Sequence, residues 1–172
     1  MQTTPVMRNS AAVQRRAFTT TVGTEVREAP FVPLRPPLKW AGGKRWQVPH
    51  LQPLWESFQN RRLVEPFCGG LAVTLSLMPQ RALLNDINPH LIAFYKWLQR
   101  GLPAVVPFEN SDNCSRIYYE RRAHFNELLV SGQGDGAEAA CLFYYLNRTG
   151  YNGLCRFNQR GAFNVPFGKY KK

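Results

Sequence analysis

The sequence predicts an α/β fold, with a βαβ unit in residues 36–100 and a mainly helical, basic part in residues 101–172. Three observations carry this. Two strand-like runs, Arg62–Phe67 and Arg81–Asn85, flank a glycine turn and the helix-like run LAVTLSLM. Beyond Gly101 the apolar residues recur at helical spacing. From Leu146 to Lys172 the chain holds six Lys or Arg and no Asp or Glu.

Composition narrows the function classes. The chain has 172 residues, 44% hydrophobic and 19% charged, enough to fold as one domain or slightly more. A net charge of +11 favours a polyanionic partner, nucleic acid above an anionic membrane surface. No apolar run approaches the roughly 20 residues that span a bilayer. The four cysteines are scattered without a CxxC pair, which argues against a zinc site and for reduced thiols in the cytoplasm. His50, His90 and His124 have no partner spacing and read as structural.

Residues 1–35 read as a disordered arm, rich in Thr, Val, Pro and Arg without a sustained period. Arg8, Arg15 and Arg16 precede the first acid, Glu25, as in a transit peptide, although a flexible basic arm suits them as well. Order is expected from Pro37. Gly42-Gly43-Lys44 precedes an amphipathic helical run from Arg45 to Phe58, with Trp46, Leu51, Leu54, Trp55 and Phe58 near helical spacing. Glycines there let backbone amides approach an anion. A phosphate loop is excluded, because Leu38 and Arg45 stand where that motif needs Gly and Ser or Thr.

RLVEPF reads as a short buried strand, followed by the turn Cys68-Gly69-Gly70 and a helix. The second strand ends at Asp86. In βαβ folds an acid at that tip binds the two ribose hydroxyls of a nucleoside cofactor. Asn88 and Pro89 supply an N-cap and a first-turn proline for a helix that runs to Gly101. Residues 103–112 read as a loop. Asn113–Val130 reads as a helix with Ile117, Tyr118, His124, Phe125 and Leu128 on its apolar side. Gly136–Arg148 reads as a strongly apolar core helix that holds the basic stretch in place.

In that stretch five aromatics, Tyr151, Phe157, Phe163, Phe167 and Tyr170, alternate with the cations. Cations neutralise phosphates and rings stack on bases. Asn152 and Asn158 add amides suited to base edges.

The segments LKWAGGK, LVEPFCGG, LLNDIN, IYYERRAHFNE, YLNRTGYNGLCRFN and FNVPFGKY resemble, in order and spacing, the Dam-type DNA adenine-N6 methyltransferases. The resemblance runs from about Leu38 to Lys172. It implies an incomplete Rossmann-like S-adenosylmethionine-dependent methyltransferase fold with a mainly helical target-recognition domain. It implies S-adenosylmethionine, and no metal, at Trp40, Lys44, Phe67, Gly69 and Asp86. It implies double-stranded DNA, with GATC as the family's default site, at Lys39, Tyr151, Asn152, Leu154, Arg156, Pro166 and Lys169. Tyr151 matches a tyrosine inserted into the duplex beside the flipped adenine, and Lys169 a phosphate contact.

Two departures stand out. Leu71 occupies the second glycine position of the family's FxGxG loop. The family's catalytic Asp-Pro-Pro-Tyr does not occur in these 172 residues. The resemblance therefore implies a bacterial or phage enzyme represented by its N-terminal part, inactive alone. A separately encoded C-terminal half could complete it; the alternative is a DNA-binding remnant without enzymatic activity.

Overall fold

The computed structural model describes residues 34–103, 109 and 113–170. The expected arm, except Leu34 and Arg35, and most of the loop over residues 103–112 lie outside the described residues, as do Lys171 and Lys172. Strands β1 (Leu63–Glu65) and β2 (Ala82–Leu84) pair in parallel, Leu63 opposite Ala82 and Glu65 opposite Leu84. Counted in chain order with α1 (Val48–Glu56), helix α2 (Ala72–Leu77) is the crossover between them. The fold is thus mixed α/β, with a two-stranded parallel sheet and five α-helices among the described residues.

Both strands are shorter than expected, three residues each. Further bonds extend the pairing, Leu63 N–H to Arg81 O (2.9 Å) at one end, and Asn85 N–H to Glu65 O (2.9 Å) and Cys68 N–H to Asn85 O (2.8 Å) at the other. The expectation that β1 is buried fails. Val64 is 50% exposed and Leu83 48%, since a two-stranded ribbon has too little surface to enclose both its faces.

The helical run from Arg45 to Phe58 also differs from expectation. It begins as a 3-10 turn, Arg45–Gln47, before α1. Pro53 interrupts the helical hydrogen-bond ladder of α1. No α1 residue is fully buried. Leu51 and Trp55 are half-buried one turn apart, while Trp46, Leu54 and Phe58 remain exposed.

The main core lies downstream. Helices α3 (Pro89–Gln99), α4 (Ser115–Val130) and α5 (Ala137–Thr149) pack together, with α5 in the middle. Asn88 caps α3 as expected, its Oδ1 accepting from the amides of His90 (3.0 Å) and Leu91 (3.2 Å). Leu91 and Phe94 of α3 meet Tyr118, Phe125 and Leu128 of α4 and Leu142, Phe143 and Leu146 of α5. Leu38, Phe163 and Val165 complete the cluster from both ends of the described chain.

Helix α4 grips the C-terminal segment with side chains four residues apart. Tyr118 Oη and Arg122 Nη1 both donate to Val165 O, at 2.9 and 3.0 Å. Asn126 Oδ1 accepts Phe163 N–H at 2.7 Å, and its Nδ2 donates to Phe163 O at 3.1 Å. Residues i, i+4 and i+8 share one helix face, so one row of α4 substitutes for a pairing strand.

His124, expected on the apolar side of α4, instead stands at the surface, with Nε2 2.9 Å from Glu138 and Nδ1 3.5 Å from Glu127. The hydrogen bond to Glu138 raises its pKa above the ordinary 6.5. A raised folded-state value stabilises below the unfolded value and is lost as pH rises through the folded one. His124→Ala should therefore cost about 0.2–1 kcal/mol at pH 5.5, the range for exposed pairs, and clearly less at pH 8.5. Urea unfolding at both pH values checks this; equal losses would mean that the ring is not charged in the fold.

Candidate functional site

The residues singled out by the sequence gather in two clusters. The first is a cleft of about 310 Å³ where β1 and β2 end, lined by Trp40, Lys44, Glu65, Phe67, Gly69 and Asp86 among others. All five residues expected to hold the cofactor line it. Asp86 is fixed from both sides, its Oδ2 accepting Gly69 N–H (3.0 Å) and its Oδ1 accepting Asn88 N–H (3.0 Å). Tyr95 Oη donates to Gly69 O at 2.6 Å, so the glycine turn is held at both its amide and its carbonyl. Phe67 forms the rim and is 86% exposed.

Gly69 and Gly70 form a seat for Trp40. A Cβ added to Gly69 would lie 2.8 Å from the indole, and one added to Gly70 would lie 2.9 Å from Trp40 Cβ. Leu71, at the departure from the glycine pattern, adopts the left-handed conformation a glycine would favour, with φ 63°. That conformation costs an ordinary residue about 1–2 kcal/mol. Leu71 is also buried, and enclosing a leucine side chain contributes about 1.5–3 kcal/mol, enough to offset the strain.

Two further lining residues, Glu65 and Cys68, belong to the cleft wall. Glu65 Oε2 accepts from both the amide and the hydroxyl of Thr74, tying β1 to α2. Cys68 is buried in the cleft wall. Burial, then the nearby charges of Asp86 and Glu65, push its thiol up to about 11, so it is neutral at physiological pH.

The second cluster follows α5. A 3-10 turn, Tyr151–Gly153, presents Tyr151 at 50% exposure and Asn152 with φ 51°. Tyr151 N–H donates to Pro166 O (2.9 Å), and Leu154 N–H to Tyr151 O (3.1 Å). Arg156 is exposed, its Nε donating to Asn164 Oδ1 at 2.8 Å. Lys169 is exposed with φ 51°. Lys39 Nζ sits 3.6 Å above the Tyr170 ring and donates to Arg148 O at 3.2 Å.

Two expectations for this segment are corrected. Phe157, Phe163 and Phe167 do not stand free to stack on bases. Phe163 is 2% exposed, and the other two pack against the core. Their rings serve burial, which leaves Tyr151 as the exposed aromatic of this stretch among the described residues. Asn158 is committed to a turn: its Oδ1 accepts the amides of Arg160 (2.9 Å) and Ala162 (3.0 Å).

One residue joins the clusters. Asn147 is 2% exposed, the buried polar side chain of a helix whose other buried residues are apolar. Its Oδ1 accepts Lys39 N–H at 2.9 Å. Its Nδ2 donates to Lys39 O at 2.7 Å and to Gly153 O at 3.1 Å. Lys39 therefore lies against the second cluster while Trp40, the next residue, lies in the first. A lone amide within an apolar run was the available signal in the sequence.

The profile of the D12 class N6 adenine-specific DNA methyltransferases matches residues 40–172. The chain belongs to that family. A protein named DNA adenine methylase from Escherichia coli K12 is 43% identical over 144 residues, covering 78% of this chain and 48% of that protein. Proteins of the same name from Vibrio cholerae (42% over 140 residues, 78% and 48%) and Haemophilus influenzae (38% over 145, 80% and 48%) are similar to it too. The chain spans about half the length of the curated relatives it matches.

The contact between Lys39 and the 3-10 turn has a stability signature. A Cβ at Gly153 would fall 2.2 Å from Lys39 Cβ at φ +61°, whereas one at Gly161 would meet nothing within 4 Å at φ +77°. Gly161→Ala should cost about 1–2 kcal/mol of backbone strain, and Gly153→Ala a further 1–3 kcal/mol or so for the clash. Denaturant unfolding of the two variants measures the difference. Equal costs would place Lys39 away from the turn.

Proposed function

We propose that residues 36–100 form the N-terminal part of a Rossmann-like S-adenosylmethionine-binding domain and residues 101–172 a target-recognition domain for duplex DNA. Together they serve methyl transfer to adenine N6. The observation that carries this reading is that a small-molecule cleft and the basic C-terminal segment meet at adjacent residues, Trp40 in the cleft and half-buried Lys39 against Tyr170 and Arg148.

The cleft suits the donor. About 310 Å³ lies within the range of small-molecule sites. Asp86 keeps lone pairs on both oriented oxygens for a pair of hydroxyls, Trp40 offers an aromatic wall, and the glycine turn admits close approach. Neutral Cys68 adds no competing nucleophile. Bound there, S-adenosylmethionine supplies an activated methyl group. Lys44 and Phe67 flank its amino-acid end in this reading.

On the basic face, Tyr151 enters the duplex, while Asn152, Leu154, Arg156, Pro166 and Lys39 meet bases and Lys169 a phosphate. The bond to Asn164 holds the guanidinium of Arg156 by its Nε edge and leaves the opposite edge for a base.

Adenine N6 is a poor nucleophile whose lone pair is delocalised into the ring, and acceptors for its protons are needed as it attacks. The Asp-Pro-Pro-Tyr that provides them in the family does not occur in these 172 residues. This polypeptide alone therefore binds both partners without transferring the methyl group. Val64, Phe67, Leu83 and Ile87 stand exposed around the sheet, which favours an enzyme half that another part covers over a self-sufficient DNA-binding remnant.

Incubation with adenine-containing duplex and labelled S-adenosylmethionine tests this. The expected result is no incorporation on N6 by the 172 residues, and incorporation once a family C-terminal half bearing Asp-Pro-Pro-Tyr is added. Incorporation by the 172 residues alone would refute it.

Two substitutions separate the sites. Asp86→Ala should weaken donor binding by about 1.5–3 kcal/mol, the value of a charge-assisted hydrogen bond, with DNA affinity unchanged. Unaltered calorimetric affinity for the donor would reduce Asp86 to a turn residue. Arg156→Ala should lose about 1–3 kcal/mol on the preferred site and relax sequence preference, while Lys169→Ala weakens all duplexes alike and flattens the salt dependence. A uniform loss in both variants would make Arg156 a phosphate contact.

A further inference from the structure

We propose that Asn147 is a positioning residue that couples the donor cleft to the DNA face; the inference rests on the reading of those two sites above. Asn147 does not line the cleft and is buried beneath the second cluster, where it reaches only backbone atoms. Its amide holds the backbone of Lys39 by both N–H and C=O, at 2.9 and 2.7 Å, and the carbonyl of Gly153 at 3.1 Å. Lys39 in turn fills the space above Gly153, where even a methyl group would stand 2.2 Å from its Cβ. The 3-10 turn bearing Tyr151 and Asn152 and the backbone bearing Lys39 are thus one rigid seat.

Trp40 continues that backbone into the other site, its indole resting on Gly69 and Gly70. Gly69 is held by Asp86 and Tyr95. A chain of direct contacts therefore runs from Asp86 through Gly69, Trp40 and Lys39 to Asn147 and the turn. A ligand that displaces Trp40 in the cleft therefore displaces Lys39 on the DNA face through this rigid link, so each ligand settles the position the other meets. That is positive coupling, and it is reciprocal between the two ligands.

Asn147→Leu tests it. The change keeps side-chain size, places a better helix former in α5 and removes all three hydrogen bonds. Fluorescence anisotropy gives the affinity for an adenine-containing 20-base-pair duplex, with and without saturating S-adenosylhomocysteine. In the unaltered chain the added compound should tighten duplex binding by about five- to tenfold, the lower end of common couplings. In Asn147→Leu the ratio should fall to near one, with each ligand alone bound within about threefold of the parent. A merely structural asparagine would lower both affinities together and leave their ratio unchanged, and that result overturns the proposal. Asn147→Ser, whose hydroxyl can replace one of the three bonds, should give an intermediate ratio; it decides the matter if the leucine variant fails to fold, and an unchanged ratio there also overturns the proposal. Failure of the parent chain to bind either ligand would instead refute the donor-and-duplex reading, and a parent ratio of one would refute the coupling alone.

Discussion

The structure depends on one buried amide. Asn147 lies in the last turn of the core helix α5, buried, where an unpaired polar group would cost about 1–3 kcal/mol for each unmade bond. Its three hydrogen bonds go to two irregular segments, the stretch before the glycine loop and the turn after α5. Helix α5 itself is central to the core and pairs with both α3 and α4. A fixed helix thus carries one side chain that sets the place of two irregular segments. Neither segment has a strand or helix long enough to position itself.

The same economy recurs on α4. Tyr118, Arg122 and Asn126 hold residues 163–165, and inward rings of Phe163 and Phe167 complete the attachment. The C-terminal stretch is therefore apolar on the side facing the helices and basic on the other. Its exposed cations Arg156, Arg160 and Lys169 project from a surface tied down at short intervals, which suits the duplex contact proposed above.

The helices were legible because their apolar periods and caps are local. Asn88, Pro89 and Gly101 mark the ends of α3, and the apolar run of α5 marks its burial. The cleft was legible through Asp86 and the glycines, whose spacing reflects a βαβ turn. Less was legible where tertiary contacts decide. Alternating Phe residues between cations looked like base-stacking groups, but a core nearby claims them. Trp46, Leu54 and Phe58 have helical spacing, yet spacing alone does not say whether a neighbour exists to cover them. The role of Asn147 depends on a contact with Lys39 across 108 positions of sequence, which no local pattern reports. Leu71 shows the reverse case, a residue of the wrong type holding the right backbone conformation because its side chain is buried.

The central claim is that Asn147 makes the Lys39 segment part of the folded core. Amide hydrogen exchange at Lys39 measures this directly, since its N–H points at Asn147 Oδ1. In the unaltered chain that amide should exchange as slowly as those in the interior of α5. In Asn147→Leu it should speed up by about a hundredfold, the equivalent of some 3 kcal/mol for three lost bonds, while the α5 amides hardly change. A Lys39 amide that exchanges like a surface loop in the unaltered chain, or is indifferent to the substitution, would contradict the account.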